Sequence, residues 1–85
     1  MDLAKINPSG WLISPCGEKM ILFLKDPMSI KTDLKFYIDI WSSMNGERNK
    51  FKSRRIYSSD DAIKYWNHLI GEGWNKIKIS NNFAA

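Results

Sequence analysis

The pattern of apolar and polar positions predicts a β-hairpin near the start of the chain. Residues 11–13 and 19–25 are two mainly apolar runs. The residues between them include Pro15 and Gly17, and a glycine at that place suits a turn that needs positive φ. In the longer run, apolar side chains occupy both alternating faces, which is typical of a central strand.

A second hairpin is predicted by residues 34–41 and 50–57. Both segments alternate like strands, and Asn45-Gly46 between them suits a tight turn with positive φ. In the later segment, alternation places Phe51, Ser53, Arg55 and Tyr57 on one face and Lys52, Arg54 and Ile56 on the other. Because neither face is consistently apolar, we expect residues 50–57 to lie toward an edge of the sheet.

The next segment predicts a helix. Ser58 or Ser59 can cap its first turn, and the two aspartates that follow suit the positive end of the helix dipole. The two glycines at positions 71 and 73 favour an end to the helix, and residues 74–79 can form a last short strand. Apolar residues recur at spacings of three and four at Ala62, Ile63, Trp66, Leu69 and Ile70.

This order of hairpin, hairpin, helix and strand predicts an α+β fold. We expect a small antiparallel sheet of about four to five strands with one helix packed on a face. A chain of 85 residues has room for one domain. The predicted boundaries are a flexible lead-in over residues 1–9, a single domain over 10–80, and a frayed tail over 81–85.

Composition indicates where such a protein acts. Cys16 is the single cysteine, so it has no partner for an internal disulfide. The sequence contains no apolar run of the length of a signal peptide or a membrane span. We therefore expect a cytoplasmic protein without a membrane partner.

The net charge of +4 lies entirely in the second half of the chain. Residues 1–44 carry five basic and five acidic residues, whereas residues 45–85 carry eight basic and four acidic ones. Residues 48–55 alone hold five basic residues and no acidic one. This asymmetry suggests an acidic partner, although positive charge also protects a solvated edge strand against aggregation.

The candidate residues for catalysis and metal binding are few. Catalysis requires convergent groups, and the chain has one histidine, His68, and one cysteine. A structural zinc site needs about four such ligands. The glycines around Glu72 follow the predicted helix, so they cannot aim a helix N-terminus at a phosphate. We therefore predict no enzymatic activity, no metal and no cofactor.

Basic and aromatic residues alternate along residues 50–57, which favours a binding function. Cations can pair with carboxylates on an acidic protein, and aromatic rings supply contact area. We expect a protein-interaction adaptor or regulator, in which alanine at Arg54 and Arg55 weakens the complex and leaves the fold intact. The predicted partner-binding residues are Lys50, Lys52, Arg54, Arg55, Tyr57 and Trp41.

The same strand leaves alternatives open. RNA and single-stranded DNA are also bound by cations on phosphates and by rings that stack on bases. A half-buried edge strand with no ligand has the same pattern. A homodimer through this edge and a monomer are both compatible with the sequence.

Several short motifs resemble a known family. They are Gly10-Trp11-Leu12 with Ser14-Pro15-Cys16-Gly17, the Asp26-Pro27 break, Arg54-Arg55, Asp61-Ala62 with Trp66, and Gly73-Trp74. Over residues 10–78 the chain is similar to the small cyanobacterial proteins of the domain of unknown function family numbered 1651. Cys16 stands where the family pattern has Asp, which argues against a catalytic thiol. The family has no assigned activity, so the resemblance implies a size and a source rather than a function.

Overall fold

Five antiparallel strands and one helix make up the part of the chain that the computed structural model describes, residues 8–78. The strand order across the sheet is β4-β3-β2-β1-β5, which confirms the predicted α+β fold. The elements are β1 (Gly10–Ile13), β2 (Lys19–Lys25), β3 (Lys35–Met44), β4 (Glu47–Ser58), α1 (Ser59–Gly71) and β5 (Asn75–Ile77).

Both predicted hairpins are present. β1 pairs with β2, and β3 pairs with β4, each antiparallel. In the second turn Asn45 and Gly46 have φ of 56° and 79°, so both residues are left-handed as a tight hairpin turn requires. The predicted central strand is β2, and the predicted edge strand is β4, the longest in the sheet.

A bulge in β4 changes the predicted faces of that strand. Ser53 lies opposite Ile40 and Phe51 lies opposite Trp41, so Lys52 is an extra residue in the ladder. Phe51 therefore shares the face of Trp41, with ring centroids 5.4 Å apart. The prediction that Phe51 and Ser53 share a face was wrong, because one inserted residue reverses the alternation.

The helix begins and ends where local chemistry predicts. Ser58 is the N-cap, and its Oγ accepts a hydrogen bond from the Asp61 amide at 3.2 Å. After Gly71 the chain turns through Gly73, whose φ of 96° is accessible mainly to glycine. The amide of Trp74 then donates to the Leu69 carbonyl at 3.0 Å and leads the chain into β5.

The main core lies between α1 and one face of the sheet. Tyr65 and Trp66 pack against this cluster from the helix, whereas Ile70, predicted in the apolar stripe, is 44% exposed. Ala62, Trp66 and Leu69 of the predicted stripe therefore pack on the sheet, together with Tyr65. The buried cluster consists of Leu12, Ile21, Phe23, Phe36, Ile38, Ala62 and Leu69.

The predicted chain ends are only partly described. Residues 1–7 of the lead-in and the tail at 81–85 lie outside the described residues, as does the end of the predicted last strand. Pro8, at the other end of the lead-in, is fully buried.

Candidate binding surface

The face of the sheet opposite α1 carries apolar and aromatic side chains, and we call it the open face. Three of its large apolar side chains are substantially exposed: Leu24 (40%), Phe51 (48%) and Ile56 (62%). The register of β2, β3 and β4 aligns these side chains in cross-strand rows. The rows are Met20, Trp41 and Phe51; Leu22, Asp39 and Arg54; and Leu24, Tyr37 and Ile56, with Trp11 of β1 beside Leu22.

An aromatic cluster covers one end of the open face. Trp41 contacts Phe51 and also Trp11, whose ring centroid lies 6.2 Å away in an edge-on arrangement. The Arg48 guanidinium lies 5.4 Å from the Trp11 ring centroid and 5.5 Å from that of Trp41. Because a cation over a ring is attracted to its π face, Arg48 holds the two tryptophans together. Trp11 is 8% exposed.

An internal ion pair occupies the centre of the open face. Arg54 donates from Nε to Asp39 Oδ1 at 2.7 Å and from Nη2 to Oδ2 at 2.8 Å, a bidentate pair. The guanidinium also lies 4.4 Å from the Tyr37 ring centroid. The hydrogen bond to Asp39 raises the pKa of Arg54 above its ordinary value. Asp39 is 5% exposed, and Arg54 satisfies both oxygens of its buried carboxylate.

This pair changes the role of Arg54. The sequence predicted that Arg54 binds a carboxylate of the partner, but its guanidinium binds Asp39 of the same sheet. The expectation that alanine at Arg54 leaves the fold intact conflicts with this geometry, because the buried Asp39 carboxylate would lose its partner. Arg54 therefore holds the Asp39 carboxylate within the sheet, and a contact between its 47% exposed side chain and a partner stays a prediction.

Three other predicted residues form what we call the basic edge: Lys50, Lys52 and Arg55. All three are exposed, and within the described part of the chain none has a carboxylate at ion-pair distance. Lys52 is the bulge residue, and Arg55 lies opposite Ile38 on the helix side of the sheet. The basic edge therefore carries uncompensated positive charge along β4.

The remaining two predicted residues lie on opposite faces of the sheet. Trp41 belongs to the aromatic cluster of the open face. Tyr57 faces the helix and packs against Tyr65, with ring centroids 5.6 Å apart. Tyr57 is thus partly buried against the core, whereas Trp41 lies close to Phe51 on the open face.

Sequence reasoning placed Trp41 and Arg54 in the site but missed the contacts that organise this surface. Tyr37, Asp39 and Trp41 alternate on one face of β3, and that signal was visible in the sequence. Their partners Arg48 and Arg54 become apparent only from the register of β3 against β4. One carboxylate among aromatic residues on a strand was the available hint of an internal ion pair.

The ionisation of Tyr65 makes the stability of the fold depend on pH. Burial raises the pKa of Tyr65 above its ordinary value of 10.0, the neighbouring Tyr57 raises it further, and the Arg55 charge lowers it. The fold therefore favours the protonated phenol. The resulting stabilisation is complete below pH 10 and is lost as the pH rises through the higher folded-state pKa.

We therefore expect Tyr65→Phe to reduce the loss of stability in alkali. Phenylalanine has no proton to lose, so the variant avoids the cost of keeping a buried phenol protonated above pH 10. Urea unfolding of the wild type and the variant at pH 9 and pH 11 measures this difference. An equal loss of unfolding free energy in both proteins would contradict it.

Cys16 lies in the β1–β2 turn, and its thiol is exposed. The Ser14 hydroxyl, 3.4 Å from Sγ, lowers the pKa of this thiol below its ordinary value, and the backbone at Glu18 lowers it further. Burial and the Glu18 carboxylate act in the opposite direction.

Within residues 8–78 no three His, Cys, Asp or Glu side chains are grouped so that they could hold a metal ion. The helix in the described part of the chain lacks the length and apolar character needed to cross a membrane.

The fold and its surface define a class of small α+β domain, in which a helix covers one face of an antiparallel sheet and a basic strand forms an edge. The chain belongs to the family described as "Protein of unknown function (DUF1651)", whose model matches residues 9–80. The resemblance found in the sequence is thereby confirmed. No curated protein and no solved structure matches the chain.

Proposed function

We propose that this chain is a non-enzymatic, cytoplasmic interaction protein that binds an acidic protein through the basic edge. The observation that carries the proposal is the contrast between Arg54, whose charge is matched by Asp39, and the three cations of the basic edge. These cations are exposed on the outermost and longest strand of the sheet.

Uncompensated charge on one strand favours association with a surface of opposite sign. Such charge steers an acidic partner toward β4 and opposes binding of basic proteins. Phe51 and Ile56 are exposed beside these cations and supply apolar contact area. An interface with apolar contacts inside and charges at its rim is the arrangement that protein complexes use.

Nucleic-acid binding is the second candidate, and Phe51 is the observation that favours it. Its half-exposed ring lies between Lys50 and Lys52 in the sequence, where a base could stack while the lysines contact phosphates. The other rings of the open face are less available, because guanidinium groups already lie against Trp41 and Tyr37. We therefore place a protein partner first.

A pull-down from a lysate of the source organism, with and without nuclease, tests the proposal. The wild type is compared with a Lys50→Glu, Lys52→Glu, Arg55→Glu variant, whose folding is checked by circular dichroism. We expect an acidic protein that survives nuclease and is lost with the variant. Nucleic acid in the eluate, with nuclease emptying it, would support the second candidate instead.

A further inference from the structure

We propose that the acidic partner adds an extended segment to the outer edge of β4 as a sixth strand, over residues 53–58. This inference rests on the proposed function and specifies its binding mode. In β-strand addition, main-chain hydrogen bonds supply affinity and alternating side chains supply specificity.

The edge over residues 53–58 is regular and available. β4 has β3 as its one neighbour in the described sheet. The register runs without interruption from Ser53 opposite Ile40 to Ser58 opposite Lys35, because both irregularities lie nearer the hairpin turn. Ser58 is the N-cap of α1, and no turn, loop or cap hydrogen bond within the described chain involves a backbone group of residues 53–57. Six residues are enough for a short strand pairing.

The alternation of bonded and non-bonded residue pairs between β3 and β4 identifies which peptide groups of β4 point outward. The Ser59 amide donates to the Leu34 carbonyl at 3.0 Å, one step beyond the pair of Ser58 with Lys35. In an antiparallel ladder, directly opposed residues alternate between bonded and non-bonded pairs. The peptide groups of Arg54 and Ile56 therefore point away from β3 and can accept a new strand.

The side chains beside this edge specify the chemistry of the added strand. Arg55 is an exposed cation on the helix side, with no carboxylate at ion-pair distance in the described chain. On the open face, Ile56 is 62% exposed. Cross-strand neighbours lie about 5 Å apart, so an acidic residue would face Arg55 and an apolar residue would face Ile56. The structure thus fits a segment in which acidic and apolar residues alternate.

Charge opposes a second copy of the chain as the occupant. Pairing two β4 strands would bring two basic edges together, and like charges on adjacent strands are destabilising. The bulge at Lys52 also interrupts the edge on the side of the hairpin turn, as protected edges do. An acidic segment from another protein meets neither obstacle along residues 53–58.

The test uses an end-blocked peptide of eight residues in which glutamate and valine alternate. A control peptide alternates lysine and valine. We expect the acidic peptide to slow hydrogen exchange of the Arg54 and Ile56 amides at least about tenfold at saturation, since both gain a bond. The exchange rate of the Tyr57 amide, which is already bonded to β3, should change less. Exchange measured on the wild type decides the binding mode without any variant.

A matched pair of variants at Ile56 provides a second test of strand addition. Ile56→Pro removes an outward N–H that has no partner in the sheet, and edge strands tolerate proline at such a position. Ile56→Ala removes the apolar side chain and keeps the N–H. We expect proline to weaken binding of the acidic peptide at least about tenfold and alanine to weaken it less.

Different experimental results would contradict strand addition and the proposed function. Binding that depends on charge but leaves the Arg54 and Ile56 amides unprotected overturns strand addition and leaves the proposed function standing. No binding of the acidic peptide, or equal binding of both peptides, also overturns strand addition. The proposed function fails separately, if the pull-down recovers the same acidic protein with the charge-reversed variant.

Discussion

Replacing Phe23 with alanine is expected to lower the free energy of unfolding by about 3–5 kcal/mol. Phe23 is fully buried in the central strand, and its ring packs edge-on against Trp66 at a centroid distance of 5.0 Å. The ring also contacts Tyr65 at 5.8 Å, so truncation leaves a cavity between sheet and helix. Urea unfolding followed by tryptophan fluorescence measures the loss.

The control for this prediction is Leu24→Ala, one residue further along β2. Leu24 faces the other side of the sheet and is 40% exposed, so we expect a loss of about 1 kcal/mol. If Phe23→Ala does not fold, Phe23→Leu provides a smaller change at the same place. Equal losses at the two positions would show that the core does not lie between α1 and β2.

Replacing Arg54 with alanine is expected to destabilise the fold more than alanine at any cation of the basic edge. Arg54 supplies both hydrogen bonds to the Asp39 carboxylate, and Asp39 is 5% exposed. Removing the guanidinium leaves a buried charge without its partner, which costs more than losing an exposed ion pair. The midpoint of urea unfolding, compared between Arg54→Ala and Arg55→Ala, measures the difference.

A double variant separates the lost charge from lost packing. Replacing Asp39 and Arg54 together with leucine removes both charges and fills the row beside Leu22 with apolar side chains. We expect this protein to be more stable than Arg54→Ala, because a buried pair replaced by apolar residues leaves no orphan charge. A midpoint for Arg54→Ala equal to that of Arg55→Ala would refute the structural role of Arg54.

Local signals predicted most of the fold. The Asn45-Gly46 turn, the Ser58 cap and the glycines after the helix act over a few residues, and the structure has each of them. The bulge at Lys52 was missed, because alternation assumes one residue per position and no residue type in that stretch demands an exception. That single insertion moved Phe51 to the opposite face of the sheet.

The candidate site was less predictable, because its organisation depends on pairs distant in sequence. Asp39 and Arg54 are fifteen residues apart, and only the register of β3 against β4 brings them into contact. The sequence showed where positive charge accumulates but not which charge is neutralised. The structure divides the predicted set into the basic edge, the paired Arg54, Trp41 in the aromatic cluster, and Tyr57 packed against the core.

The most direct test of the proposed function is the affinity of the recovered acidic protein for two charge-reversed variants. One carries glutamate at Lys50, Lys52 and Arg55, and the other at Lys25, Lys31 and Lys64, which are exposed elsewhere. Both variants have the same net charge, so they differ only in where the charge lies. We predict at least about a tenfold loss of affinity for the first variant and a much smaller loss for the second. Equal losses would contradict the account, because the partner would then respond to net charge and not to β4.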